Sequence, residues 1–183
     1  MTRSECARVR EATPADADAI ADLHAASWRT AYRGAMRDAY LDGDVAAERR
    51  TVWHDRFAAP ASNQHVIVAE ASGRLVGFAC VYGAADPRWG SELDNLHVRS
   101  GEQGQGVGAD LLAAVARWTS TTYPDAALYL WVLDGNDGAR RFYERHGGRD
   151  AEGDHWHAPD GSALAVRRYV WPVAEVARLA SRG

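Results

Sequence analysis

Residues 96–108, Leu-His-Val-Arg-Ser-Gly-Glu-Gln-Gly-Gln-Gly-Val-Gly, constrain this chain more than any other stretch. They read as a strand that enters a glycine turn and passes directly into a helix. Gly104, Gly106 and Gly108 permit dihedrals that a side chain forbids and let a ligand approach the backbone. The helix that follows, beginning at Ala109 and running through Trp118, points unpaired N–H groups and the positive end of its dipole into the turn. Such an arrangement binds an anion, most often a phosphate. A phosphorylated cofactor is therefore expected here.

Two familiar phosphate motifs do not fit. A Walker loop needs a lysine followed by Ser or Thr, and the chain contains no lysine. The dinucleotide fingerprint G-x-G-x-x-G is not met by the G-x-G-x-G spacing, and the turn lies far from the start of the chain, where the first strand of a dinucleotide-binding unit belongs. What does fit is Gln103-x-x-Gly106-x-Gly108.

The 183 residues suffice for one ordinary domain, read as 1–183 with a core over 6–172 and a tail over 173–183. Cys6 and Cys80 are too few for a disulfide framework and lack metal-ligand spacing. No apolar run approaches a membrane span, and no signal-peptide apolar region opens the chain, so a cytoplasmic protein without a membrane partner is expected. A net charge of −4 gives no support for nucleic acid as a partner.

Periodicity places a short strand at 6–10, a helix from the Thr13-Pro14-Ala15-Asp16 start to about Trp28, and a second helical region over 36–57. Strands follow at 65–71 and 74–82, joined by Ser72-Gly73 as a tight hairpin. A strand over 91–98, the glycine turn and a helix over 109–121 come next. The apolar run 127–133 reads as a strand buried on both faces, 137–146 as a helix ending at Gly147-Gly148, and 149–156 with 163–171 as a closing strand pair. The order is β-α-α-β-β-β-α-β-α-β-β.

Four patches resemble the GNAT superfamily of N-acetyltransferases. Gln103–Ala109 matches its Q/R-x-x-G-x-G/A turn, and Leu96-His97-Val98 its preceding strand end. Asn136-x-x-Ala139-x-x-Phe142-Tyr143-Glu144-x-x-Gly147 resembles its N-x-x-A-x-x-F/L-Y signature, with Gly148 where an aromatic usually stands. His24-Ala25-Ala26-Ser27-Trp28-Arg29-Thr30-Ala31-Tyr32-Arg33-Gly34 resembles the H-x-x-S-W-R-x-A-Y-x-G element of a bacterial branch. The resemblance implies an α/β (α+β) fold, with a mostly antiparallel mixed sheet of about seven strands splayed at its centre and about four helices.

It also implies acetyl-CoA as the acetyl donor and no metal. The coenzyme's pyrophosphate would lie on the backbone of Gln103, Gly104, Gln105, Gly106, Val107, Gly108 and Ala109. Its arm would lie along Leu96, His97 and Val98, with Asn136, Ala139 and Tyr143 beside it.

Acetyl transfer to an amine needs a base for an ammonium of pKa roughly 10, donors for a developing oxyanion and an acid for the leaving thiolate. By resemblance to the histone-acetyltransferase branch, Glu92 is the candidate base, with Asp94 as the second choice on the same strand face. A Val98 N–H is the oxyanion donor and Tyr143 the acid. Trp28, Tyr32 and Trp156, with Glu92 or Asp86 at their base, predict an acceptor pocket for a small cationic amine with an apolar part. Trp53 and Trp89 add to the aromatic supply on that side. His155 and His157 share a strand face, but no third ligand lies nearby in sequence. A coenzyme A-binding sensor, a protein lysine or N-terminal acetyltransferase and a carrier of longer acyl groups remain alternatives. A homodimer through the outer strands is compatible with all of them.

Overall fold

Ser72 and Gly73 both take left-handed φ values, 51° and 71°, and a turn of that hand matches the right-handed twist of a strand pair. Around this hairpin the computed structural model, which describes residues 7–182, builds a seven-stranded sheet. Its strands are β1 (Arg8–Glu11), β2 (Gln64–Ala71), β3 (Arg74–Asp86), β4 (Gly90–Val98), β5 (Leu128–Leu133), β6 (Arg149–His157) and β7 (Ala163–Trp171), in the spatial order β1-β2-β3-β4-β5-β7-β6. Every pairing is antiparallel except β4 with β5. The expectation placed on Cys6 lies outside the described residues.

The helices are α1 (Ala17–Ala31), α2 (Asp38–Asp42), α3 (Val45–Ala58), α4 (Val107–Thr122), α5 (Asp137–Arg145) and α6 (Val173–Ala180), preceded by a 3-10 turn at Pro14–Asp16. Six helices replace the expected four for two reasons. The single helical region read over 36–57 breaks at Gly43, where an added Cβ would stand 2.9 Å from the Ala39 carbonyl oxygen. Residues 173–180, read as a tail, form a helix whose Val176 and Leu179 are buried in the main core.

One sheet face carries α4 and α6. Leu111, Leu112 and Val115 of α4 pack there on Ile67, Ala79, Val81, Leu93, Leu128 and Leu130, and each such side chain contributes about 1.5–3 kcal/mol on burial. Gly77 on β3 makes that approach possible, because a Cβ would meet Leu111 at 2.9 Å and Val107 at 3.1 Å. The opposite face carries α1 and α3, where Ile20, Leu23 and Trp53 pack on Val66, Val68 and Phe78. Gly148, which departs from the family signature, lies against the indole of Trp171, 2.7 Å from where its Cβ would be. Trp171 fills that space and donates to the His146 carbonyl at 2.9 Å.

The parallel pair β4–β5 is registered only at Ser91↔Leu128 and Glu92↔Tyr129. Beyond Glu92 the two strands diverge, and the sheet opens into a wedge. β5 is therefore not buried equally on both faces, as its apolar run suggested. Leu128, Leu130 and Val132 belong to the core, with Leu130 and Val132 also bordering the wedge, whereas Trp131 and Leu133 are only half-buried and line it.

Candidate active site

A continuous cleft of about 2160 Å³ runs from the glycine turn, through the wedge, to the C-terminal end of α1. At the turn, Gly101, Gly104 and Gly106 take φ of 93°, 79° and 92°. A Cβ on Gly104 or Gly106 would meet nothing within 4 Å, so the backbone there faces open cleft. Gly106 is the N-cap of α4, and the first intrahelical bond of that turn is Asp110 N–H to the Gly106 carbonyl at 3.0 Å. The N–H groups of Val107, Gly108 and Ala109 are thus the unpaired donors of the helix start, two residues earlier than the sequence suggested. Gly108 differs from the expectation that it supplies unusual dihedrals. Its φ is not left-handed, and its missing side chain instead admits the Phe142 ring, 3.4 Å from where a Cβ would lie.

Along the wedge, the Arg99 N–H donates across to the Val76 carbonyl of β3 at 2.8 Å. Antiparallel alternation then turns the Val98 and Leu96 N–H groups to the other edge, where β5 has departed. The side chain of His97 packs on His24 (ring centroids 4.7 Å apart) and Phe78 (5.3 Å), and burial lowers its pKa to about 4. Asn136 caps α5, its Oδ1 accepting from the Ala139 N–H at 3.1 Å, so only its amide NH2 remains for the cleft. Ala139 and Phe142 line the cleft. Tyr143, 8% exposed, also lines it, and its hydroxyl pKa is raised by burial and, secondarily, by Tyr32.

At the far end, Glu92 is half-buried. Burial first, then the Asp94 charge, raises its carboxyl above the usual range, while the neighbouring Tyr129 hydroxyl and the charge of Arg168 act against that rise. Asp94 occupies a bulge: Cys80 pairs with Asn95 and Val81 with Leu93, leaving Asp94 without a partner on β3. Its carboxylate pairs with Arg56 at 2.8 Å, and Arg56 also donates to Asn95 Oδ1 at 3.0 Å. Cys80 lies under Arg56 in the same core, with its thiol pushed up to about 12 by burial.

Trp28, Tyr32 and Trp156 come together as the sequence reading expected, with ring centroids 5.1, 5.8 and 5.7 Å apart. Asp86 does not join them. Its Oδ1 accepts from the N–H groups of Arg88 (2.7 Å) and Trp89 (2.9 Å), which fixes the β3–β4 turn. Nor does Trp53, which is fully buried and donates its indole N–H to His24 Nδ1 at 3.0 Å.

Three residues here went unnoticed in the sequence. Buried Asp160 accepts from the N–H groups of Arg37 (2.7 Å) and Ser162 (2.9 Å), tying the β6–β7 loop to the segment after α1. Arg49 stacks on Trp28 at 4.3 Å. Arg168 lies over Trp131 (4.3 Å), Trp89 (4.4 Å) and Tyr129 (5.2 Å). Its alternation with Val166 and Val170 along β7 was the available signal.

Residues 19–148 match the acetyltransferase (GNAT) family. A probable N-acetyltransferase of Mycobacterium tuberculosis is 28% identical over 144 residues, covering 75% of this chain and 77% of that protein. An aminoglycoside N(6')-acetyltransferase type 1 of Stenotrophomonas maltophilia is 35% identical over 117 residues, covering 61% and 66%. Among solved structures, the PaiA N-acetyltransferase of Thermoplasma acidophilum in complex with coenzyme A aligns with a TM-score of 0.72 at 18% identity, over 88% of this chain and 97% of that one.

Proposed function

The chain belongs to the acetyltransferase (GNAT) family, and from that premise we propose that it moves an acetyl group to the primary amine of a small cationic acceptor by direct attack, with both substrates bound together. The observation that carries this reading is the single cleft that joins an anion-binding helix start to Glu92 across the opened β4–β5 wedge.

The residues fit coenzyme A. The open backbone at Gly104 and Gly106 and the unpaired N–H groups of Val107, Gly108 and Ala109 suit a pyrophosphate, with Gln103 and Gln105 in the same turn. The free edge of β4 at Leu96–Val98 suits an extended arm, flanked by the Asn136 amide, Ala139 and Tyr143. Acetyl-CoA would supply the acetyl group and a thiol leaving group.

The chain's own residues would do the rest. Glu92, held in a half-buried setting that strengthens it as a base, takes the ammonium proton of the acceptor. The Val98 N–H donates to charge developing on the carbonyl oxygen. Tyr143, whose hydroxyl has no hydrogen-bond partner among the described residues, gives its proton to the leaving sulfur and is restored by the second proton that the nitrogen loses as the amide forms. Asp94 is less suited to the base role because Arg56 already engages it. Cys80 is protonated and buried, which favours direct attack over a covalent relay. The aromatic wall of Trp28, Tyr32 and Trp156, closed by the β6–β7 loop that Asp160 anchors, favours a small acceptor over a protein surface.

The test is coenzyme A release from acetyl-CoA, followed by mass across a panel of amines. Amine-dependent release is the expected result, and failure of the chain to bind acetyl-CoA would sink the reading. Two variants dissect it. Gly106→Ala forces a side chain into left-handed φ, costing about 1–2 kcal/mol, and calorimetry should find coenzyme A binding about tenfold weaker. Tyr143→Phe should lower kcat by about 10²-fold, the low end of general-acid help, with coenzyme affinity retained. Full activity would leave Tyr143 a packing role.

A further inference from the structure

Arginine side chains distinguish the acceptor end of the cleft in a way that an ammonium acceptor alone does not account for. Buried polar groups normally find hydrogen-bond partners. Of the buried side-chain nitrogens and oxygens without one among the described residues, three belong to two arginines that line this cleft: Nε of Arg49, and Nε and Nη1 of Arg168.

Arg168 is the more telling of the two. Its side chain is 12% exposed, and it is walled by the rings of Trp89, Tyr129 and Trp131. The nearest carboxylate is that of Glu152, 3.3 Å from Nη1 without hydrogen-bond geometry and itself 41% exposed on the edge strand β6. Aromatic faces attract a cation but accept little from its N–H groups. The guanidinium is therefore undercompensated in a low-dielectric wall, where a charge-assisted bond to an anion is strong.

Glu92 lies within electrostatic reach of it, and both residues border Tyr129: Glu92 is its register partner across the β4–β5 pair, and the guanidinium lies over its ring. A negative and a positive group thus flank the same residue of β5 and both line the cleft. That pairing is complementary to a molecule carrying an ammonium and a carboxylate close together.

Resting on the acetyl-transfer reading but replacing its net positive acceptor with a zwitterion, we propose that the acceptor is a primary amine that also bears a carboxylate, of the α-amino-acid type with an apolar side chain. Its ammonium faces Glu92, its carboxylate is held by Arg168, and its apolar part lies toward Trp28, Tyr32 and Trp156. The carboxylate also answers a change made by the reaction itself. When Glu92 takes the amine proton it loses its charge, and Arg168 then keeps the exposed Glu152 and the Asp86 charge, which its own turn already engages, unless the acceptor supplies an anion.

The experiment uses the full chain with acetyl-CoA and matched acceptors that differ only in the carboxylate: phenylalanine, phenylalanine amide and phenethylamine, then leucine and isopentylamine. Wild-type kcat/KM is expected to be about 10- to 100-fold higher for the carboxylate-bearing member of each set. Arg168→Met keeps the stem and its packing but removes the charge. The preference should then fall below about threefold, through a larger rise in KM for the carboxylate-bearing acceptors than for the carboxylate-free amines. Arg168→Lys keeps a charge without the fork and should fall between. A thermal melt of each variant separates binding loss from misfolding. Equal or better turnover of the carboxylate-free amines by the wild type overturns the proposal without touching acetyl transfer, as does a preference that survives in both folded variants. Absence of transfer to every amine overturns acetyl transfer itself, and this inference with it.

Discussion

Glu92→Gln is expected to lower kcat/KM for acetyl transfer by about 10²- to 10⁴-fold at neutral pH, with the deficit shrinking as pH approaches the pKa of the acceptor amine. At that pH the amine loses its proton to solvent, and a base becomes dispensable. In the wild type, the acidic limb of the pH–rate profile should lie above the ordinary carboxylate range, because burial and Asp94 raise the Glu92 carboxyl. The same shift has a consequence for stability. A carboxyl whose folded-state pKa is raised favours the fold most below its unfolded value, and that contribution is lost as pH rises through the folded value. At pH 7 the charged Glu92 therefore works against folding, and a neutral glutamine does not. The variant should melt no lower than the wild type, so lost turnover cannot be assigned to unfolding. An unchanged pH–rate profile in Glu92→Gln would remove the residue from the base role and return attention to Asp94.

The features legible in the sequence share a local cause. The glycine turn, the Ser72–Gly73 hairpin and the Asn136-to-Gly147 helix each depend on backbone chemistry within a few residues, and each stands close to where spacing put it. Trp28 and Tyr32 sit one helical turn apart, so their shared face was readable, although Trp156 joins them from the far end of the chain. What escaped was set by distant partners or by competition at short range. The bulge at Asp94 exists because β3 and β4 fall out of register, and no pattern in β4 alone announces it. Arg49 gains its place only when α3 is set beside the cleft, and Arg168, though in phase with Val166 and Val170, only when β7 borders it. Asp86 failed for the opposite reason. An aspartate just ahead of a turn tends to bind the backbone two or three residues on, and here that local bond won over any role in the pocket.

Trp53→Ala is expected to destabilise the chain by about 3–5 kcal/mol, the range for emptying a buried aromatic site, lowering Tm by about 10 °C or more. Trp53 is fully buried and packs edge-on against Phe78 with ring centroids 5.3 Å apart, under the Arg56 guanidinium at 4.9 Å. Its indole N–H is also the donor to His24 Nδ1. His24 is 1% exposed, and its other nitrogen has no partner among the described residues, so losing the indole strips the ring of its one hydrogen bond. Trp53→Phe isolates that second effect: it keeps most of the packing, and it should still cost about 1–3 kcal/mol for the orphaned acceptor. Function should divide along the cleft. α1 carries Trp28 and is capped by Tyr32, α3 carries Arg49 and Arg56, and both helices rest on the core that Trp53 fills. α4 and the glycine turn rest on the other face of the sheet. At a temperature where Trp53→Phe remains folded, acceptor KM should rise while calorimetry finds coenzyme A binding close to the wild type. Equal loss at both ends would mean that the two faces of the sheet are coupled, and that the acceptor wall is not an independently supported element.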